Sequence, residues 1–228
     1  MQNRRIISAG GLSFIVGALA FVAVFSYLAA SFNYPDILDG SAAEVLPRLR
    51  GGGSLMRAVW ALYAFLPLLL IPGAVGAYFA CPASRGRMTL ALVAASLGAL
   101  AMCLGLMRWP SIHWVLADAY AQSDPDAQSA LAAVFRGLNL YLGNYIGEFL
   151  GELCLTFFFL LNSLSFFSET RFPRWLGWCG TVFAVLFGIG AFRNAIPAAQ
   201  PIADVNNLLL PLWMVTLGVS LMWFSRKA

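Results

Sequence analysis

Six stretches of this chain run for about the length of a membrane crossing with almost no charge in them. They cover residues 6–31, 58–80, 88–107, 141–167, 175–192 and 205–224. A helix needs about 20 mainly apolar residues to cross a hydrocarbon core of roughly 30 Å. Inside lipid every backbone N–H and C=O must find a partner within the protein, which leaves helices and closed barrels. The alternating apolar pattern of a barrel strand is absent, so each run reads as a helix. Composition agrees: 61% of the residues are hydrophobic and 11% charged, against about 45–50% and about 25% in soluble domains. An ordinary soluble enzyme, a disordered chain and a nucleic-acid binder are therefore excluded. The expected fold is all-α, a single six-helix transmembrane bundle over residues 1–228, with membrane lipid as its surroundings.

The first run has a competing reading. Arg4 and Arg5 before an apolar stretch also resemble the start of a signal peptide. The stretch exceeds the usual ~7–15-residue apolar region and no clear small-residue cleavage site closes it, so a retained helix is expected. Orientation follows from Lys and Arg near the span ends. With the N-terminus inside, the inner segments hold Arg4, Arg5, Arg85, Arg87, Arg171, Arg174, Arg226 and Lys227 against Glu169 alone. The outer segments mix Arg48, Arg50, Arg57, Arg108, Arg136 and Arg193 with Asp36, Asp39, Glu44, Asp118, Asp124, Asp126 and Asp204. Both termini are expected in the cytoplasm, and the net charge of +4 is a topology signal rather than a nucleic-acid footprint.

The loops differ in kind. Inner loops, 81–87 and 168–174, are short. Outer loops are long and carry signals for short amphipathic helices. Ser41 and Glu44 form a capping-box pattern, and Gly51, Gly52 and Gly53 end the helix it opens. Asp124-Pro125 reads as an N-cap followed by proline at the first helical position, opening a helix over about 125–138 that runs into the fourth span. Phe32, Tyr34, Trp109, Trp114, Trp175, Trp178 and Trp223 suit an interfacial aromatic belt. Pro67 and Pro72 are expected to kink the second span. Cys81, Cys103, Cys154 and Cys179 read as small packing residues, and no internal repeat supports an inverted-repeat transporter.

Against this background the fourth span stands out, because Glu148 and Glu152 lie inside it. On insertion scales a charge at the centre of a span costs about 2.5–3.5 kcal/mol. At α-helical spacing Tyr141, Asn144, Tyr145, Glu148 and Glu152 share one face, expected to turn toward the bundle interior. Gly143, Gly147 and Gly151 form a neighbouring small-residue face of the kind that lets another helix approach closely. Ala94, Gly98, Ala101 and Gly105 in the third span offer a complementary face. Arg193 is the expected partner of Glu148, while Glu152 lies deeper, with no cation expected at its level, and reads as a proton carrier or a hydrogen-bond donor. Arg108, Asn144, Asn194, Tyr145 and His113 complete the candidate ligand-binding or proton-handling set. Asn206 and Asn207 open the sixth span nearby.

Other chemistries fit less well. Two glutamates at i, i+4 beside a histidine echo carboxylate–histidine metal sites in bundles. The Glu-x-x-His pairs of that class are missing and His113 is the chain's one histidine, so no metal site is expected. No cofactor is indicated. Hydrolysis by Ser/His/Asp lacks a G-x-S-x-G elbow.

The stretch from Arg5 to Gly11, the run Phe172-Pro173-Arg174-Trp175-Leu176-Gly177 and the glycine-rich fourth span together resemble the bacterial membrane proteins of domain of unknown function 4386. The resemblance covers nearly the whole chain. It implies a six-helix bacterial inner-membrane protein and carries no established activity or catalytic residues. Two function classes follow. The first is binding or movement of a small ligand or proton through an outward-facing polar pocket. The alternative is a structural or accessory subunit that packs with other membrane subunits, with a membrane-embedded metal-dependent enzyme third.

Overall fold

The computed structural model describes residues 2–225, and every regular element among them is helical. The order is α1 (Gln2–Phe32), α2 (Ala42–Gly51), α3 (Gly53–Phe65), α4 (Leu70–Ala80), α5 (Arg85–Met107), α6 (Ile112–Gln122), α7 (Pro125–Leu138), a π-helical segment (Asn139–Leu150), α8 (Gly151–Phe166), α9 (Arg174–Ala191) and α10 (Gln200–Ser225). Six helices are long and apolar enough to span a membrane: Asn3–Phe32, Gly53–Ala80, Pro82–Gln122, Pro125–Phe166, Arg174–Asn194 and Pro197–Trp223. The expected all-helical six-span chain is therefore what forms.

The spans close into a ring in chain order. α1 packs on α4, α4 on α5, α5 on α8, α8 on α9, α9 on α10, and α10 returns to α1. Glycines set the close approaches. A Cβ built on Gly10 would lie 2.6 Å from the Gly76 Cα, and one on Gly11 would lie 2.6 Å from the Gly218 carbonyl oxygen. Two consecutive glycines thus bring α1 against two different helices. The second span breaks where proline predicts. A 3-10 turn, Leu66–Leu69, holds Pro67 and separates α3 from α4, and Ser13 of α1 donates its hydroxyl to the Leu69 carbonyl at 2.7 Å.

Two apolar cores result. One fills the middle of the ring and the end opposite α2, around Phe14, Phe158, Phe159, Phe183, Phe187 and Leu217. The other lies beneath α2 and α6, around Phe32, Val45, Leu49, Trp60, Trp109 and Phe135. That second core corrects the aromatic belt. Phe32 and Trp109 are fully buried; Trp109 stacks on Trp60 at 4.7 Å and Phe32 meets both edge-on. The helical cap supplied apolar partners that an open interface would lack. Trp175, Trp178 and Trp223 remain exposed. At the helix starts, Asp124 accepts from the Ala127 N–H at 2.9 Å, whereas Ser41 precedes α2 without a side-chain capping bond.

The end opposite α2 is held by charge on backbone. Buried Glu169 accepts from the Ala83 N–H at 2.7 Å, with Arg171 3.8 Å away. Arg87 donates to the Leu164 carbonyl at 2.6 Å, and Arg85 lies over the Tyr78 ring at 4.5 Å. Burial, with the Glu169 carboxylate nearby, pushes the Cys81 thiol up to about 12. Arg226 and Lys227, part of the basic inner set, lie outside the described residues.

Candidate functional site: a charge cluster between two cavities

The site is built by the π-helical segment. Bonding i→i+5 widens each turn relative to an α-helix, so residues four apart line up and residues three apart diverge. Three stripes follow. Gly143 and Gly147 are buried and continue into Gly151. Asn144, Glu148 and Glu152 form the second stripe, facing α9 and its C-terminal turn. Tyr141 and Tyr145 fall on the third and are 63% and 44% exposed. The single face expected from α-helical spacing is thus split, and Tyr145 belongs to the outer surface rather than the site. The glycine stripe meets α5 as expected at two of its three positions: a Cβ on Gly105 would lie 2.5 Å from the Gly147 Cα, and one on Gly98 would lie 3.0 Å from the Gly151 carbonyl oxygen. Gly143 instead makes room for a side chain, since a Cβ there would lie 2.5 Å from Nη2 of Arg108.

Arg193, in the turn that ends α9, is the hub. Its Nη1 donates to Oε2 of Glu152 at 2.6 Å and its Nη2 to Oε1 at 2.9 Å, a bidentate pair. Nη2 also lies 3.0 Å from Oε2 of Glu148, and Nη1 donates to the Gly190 carbonyl at 3.1 Å. The expectation that Glu152 would meet no cation is corrected: Arg193 reaches inward, and Glu152 takes the stronger geometry while Glu148 takes a single contact. Planar guanidinium matched to planar carboxylate explains the preference. Asn194 joins the cluster, donating to Glu148 Oε2 at 3.0 Å and to the Asn144 carbonyl at 3.0 Å. Its Oδ1 accepts from Asn144 at 3.1 Å.

Arg108, also expected at the site, is buried on the other wall. Nε donates to Oδ1 of Asn139 at 3.1 Å and Nη1 to the Gly105 carbonyl at 2.5 Å, and its guanidinium lies over the Trp109 ring at 5.1 Å. Asn139 ties this wall to the loop before α2 by donating to the Leu38 carbonyl at 2.9 Å. His113 does not reach the cluster. It is fully buried between Trp109 at 4.8 Å and Phe135 at 4.7 Å, and neither ring nitrogen has a hydrogen-bond partner. α6 turns it into the second core, where it packs as an aromatic ring.

Three cavities follow one another through this region. The outermost, about 150 Å³, is bordered by Asp36, Asp39, Asn144, Asn194, Asp204 and Asn207. The next, about 100 Å³, is lined by Tyr63, Arg108, Trp109, Glu152, Phe187 and Asn206. Tyr34, Leu38, Glu148, Arg193, Ala203 and Asn207 border both, so the boundary between them runs through these residues, with Glu148 and Arg193 its charged members. A third, about 60 Å³, continues past Phe21, Tyr63, Met102, Leu106 and Leu210 to Pro67 in the broken second span. Tyr34 and Tyr63 put their hydroxyls 3.2 Å apart. Sequence reasoning missed Tyr63 and Asn139 and assigned Tyr34 to the interface. A lone tyrosine in an apolar run looks like any other aromatic, and no signal available in the sequence separated them. Among the described residues, no group of three His, Cys, Asp or Glu could hold a metal ion.

Fold and site together define a multi-pass helical membrane protein with a partly buried arginine–glutamate cluster beneath a helical cap. A family model described as Domain of unknown function (DUF4386) matches residues 9–224, and the chain belongs to that family. No curated protein and no solved structure matches it.

Proposed function

We propose that this protein sits in a bacterial inner membrane with both termini in the cytoplasm, and that it binds or moves a small ligand or a proton through the pocket around Glu148, Glu152 and Arg193. One observation carries this reading. The Glu148–Arg193 pair forms part of the wall between two cavities, which is where a charge pair acts on whatever passes. A pair that only set helix register would be enclosed by packed side chains. The proposed orientation puts the cap of α2, α6 and the start of α7 outside and the arginine-rich end inside, as the distribution of Lys and Arg favours. Asp36, Asp39 and Asp204 then give the mouth of the outer cavity negative charge, which draws in cations and the positive end of a dipolar molecule.

The test begins with purification in mild detergent. Protein recovered without other polypeptides, and carrying a small bound molecule detected by native mass spectrometry, supports the reading. Stoichiometric co-purifying membrane polypeptides, together with density showing a dry and tightly packed Glu148–Arg193 pair, would replace it with the accessory-subunit alternative.

A further inference from the structure

The inner cavity is lined by two guanidinium groups, Arg108 and Arg193, and two carboxylates, Glu148 and Glu152, but their direct contacts are uneven. Arg193 is answered by carboxylate oxygens of both glutamates. Arg108 is not: its bonds go to a side-chain amide and a backbone carbonyl, and among the described residues no carboxylate is close enough to pair with it. The Glu148 carboxylate acts on it only through space, so the Arg108 guanidinium has no carboxylate in direct contact and can take one from a ligand. The opposite wall is prepared for a donor. Glu148 engages the protein through Oε2 alone in the contacts described above, leaving Oε1 available. Asn206, 4% exposed, donates Nδ2 to the Leu186 carbonyl at 3.1 Å, while its buried Oδ1 has no partner.

We propose that this cavity binds a small dipolar ion, with its carboxylate on Arg108 and its ammonium group on Glu148 and Asn206. The assignment rests on the pocket reading above and narrows it. A simple anion on Arg108 would face the Glu148 carboxylate, and a simple cation at Glu148 would face two guanidinium groups. A molecule carrying both charges satisfies each wall. Size restricts it further. About 100 Å³, against about 150 Å³ for a cavity that takes up benzene, suits a molecule of a few heavy atoms such as the smallest amino acids. The acidic rim at Asp36, Asp39 and Asp204 attracts the ammonium end of such a molecule.

The experiment uses the full chain in mild detergent, titrated calorimetrically with glycine and β-alanine, and with acetate and methylammonium as the single-charge halves. Glycine or β-alanine is expected to bind saturably and raise the melting temperature, with both halves at least about tenfold weaker. Glu148→Gln and Asn206→Leu are each expected to weaken the dipolar ion by about tenfold or more, the scale of one charge-assisted hydrogen bond. Glu148→Gln should leave acetate binding equal or tighter, a readout that a misfolded variant would not give. Acetate or methylammonium binding as tightly as glycine would overturn the dipolar assignment while leaving the pocket standing. Failure of all four probes, with density showing the cavity filled by side chains, would remove the pocket reading as well.

Discussion

Arg193 holds two carboxylates apart in a space they could not share alone. Replacing it by glutamine leaves Glu148 and Glu152 facing each other; breaking a fully buried pair from one side costs about 3–5 kcal/mol, an upper bound for this partly buried one. Arg193→Gln is expected to lower the thermal midpoint in detergent sharply. The double variant Arg193→Gln/Glu152→Gln should recover part of the loss, and strict additivity in that cycle would contradict the pairing. Glu148→Gln should destabilise less, since the bidentate contact to Glu152 survives and the Glu148 side chain is already 25% exposed. At the opposite end Cys81 gives a second residue-level test. Its thiol deprotonates only toward about 12, so at pH 8 it stays protonated and should alkylate slowly. Glu169→Gln removes a nearby negative charge that raises that value, and should speed alkylation at a fixed alkaline pH. Of these residues, Arg193 and the two glutamates were legible from sequence, because charge in an apolar run is costly wherever it points. Which glutamate takes the bidentate contact was not, because that depends on the turn-by-turn rotation of the helix.

Helix rotation is itself set at the scale of the element. The π-helical segment and α5 meet through Gly105 and Gly147, where a Cβ on Gly105 would lie 2.5 Å from the Gly147 Cα and one on Gly147 3.1 Å from the Gly105 Cα. Gly105→Ala or Gly147→Ala is therefore expected to cost about 1–3 kcal/mol by overpacking, read as a lower melting temperature and a disturbed site. Gly137→Ala is the control. Nothing lies within 4 Å of its Cβ position, so it should stabilise α7 by roughly 0.5–1 kcal/mol through helix propensity. The same elements show why part of the fold could be read in advance. Long apolar runs, the Asp124-Pro125 start and the proline break at Pro67 are local signals and appear where expected. The glycine face also found α5, because small residues on two helices have few other uses. The switch from i→i+4 to i→i+5 bonding has no such local signature. It turned Tyr145 outward and separated the stripes, and only packing against α5 and α9 reveals it. His113 failed for a related reason: its position after Arg108 placed it near the site in sequence, while α6 carried its ring into the second core.

At the scale of the molecule, the proposed orientation makes a direct prediction. With single cysteines introduced into a background lacking the native ones, a membrane-impermeant maleimide should label Asp36→Cys in intact spheroplasts. It should label Arg171→Cys only after the membrane is opened. The reverse pattern would invert the bundle and place the acidic cavity mouth on the cytoplasmic side. The ring has a further consequence for how the protein is made. α1 presents Gly11 to Gly218 of α10, so its seam remains unfilled until the sixth span has been synthesised and inserted. Asn206, on the same late helix, completes the wall of the inner cavity. A ribosome that stalls before α10 would leave five helices with an open groove in α1 and a charge cluster exposed to lipid on one side. Assembly of the site and insertion of the sixth span are therefore a single event, and a quality-control protease that recognises polar groups in the membrane has a clear substrate until that event occurs.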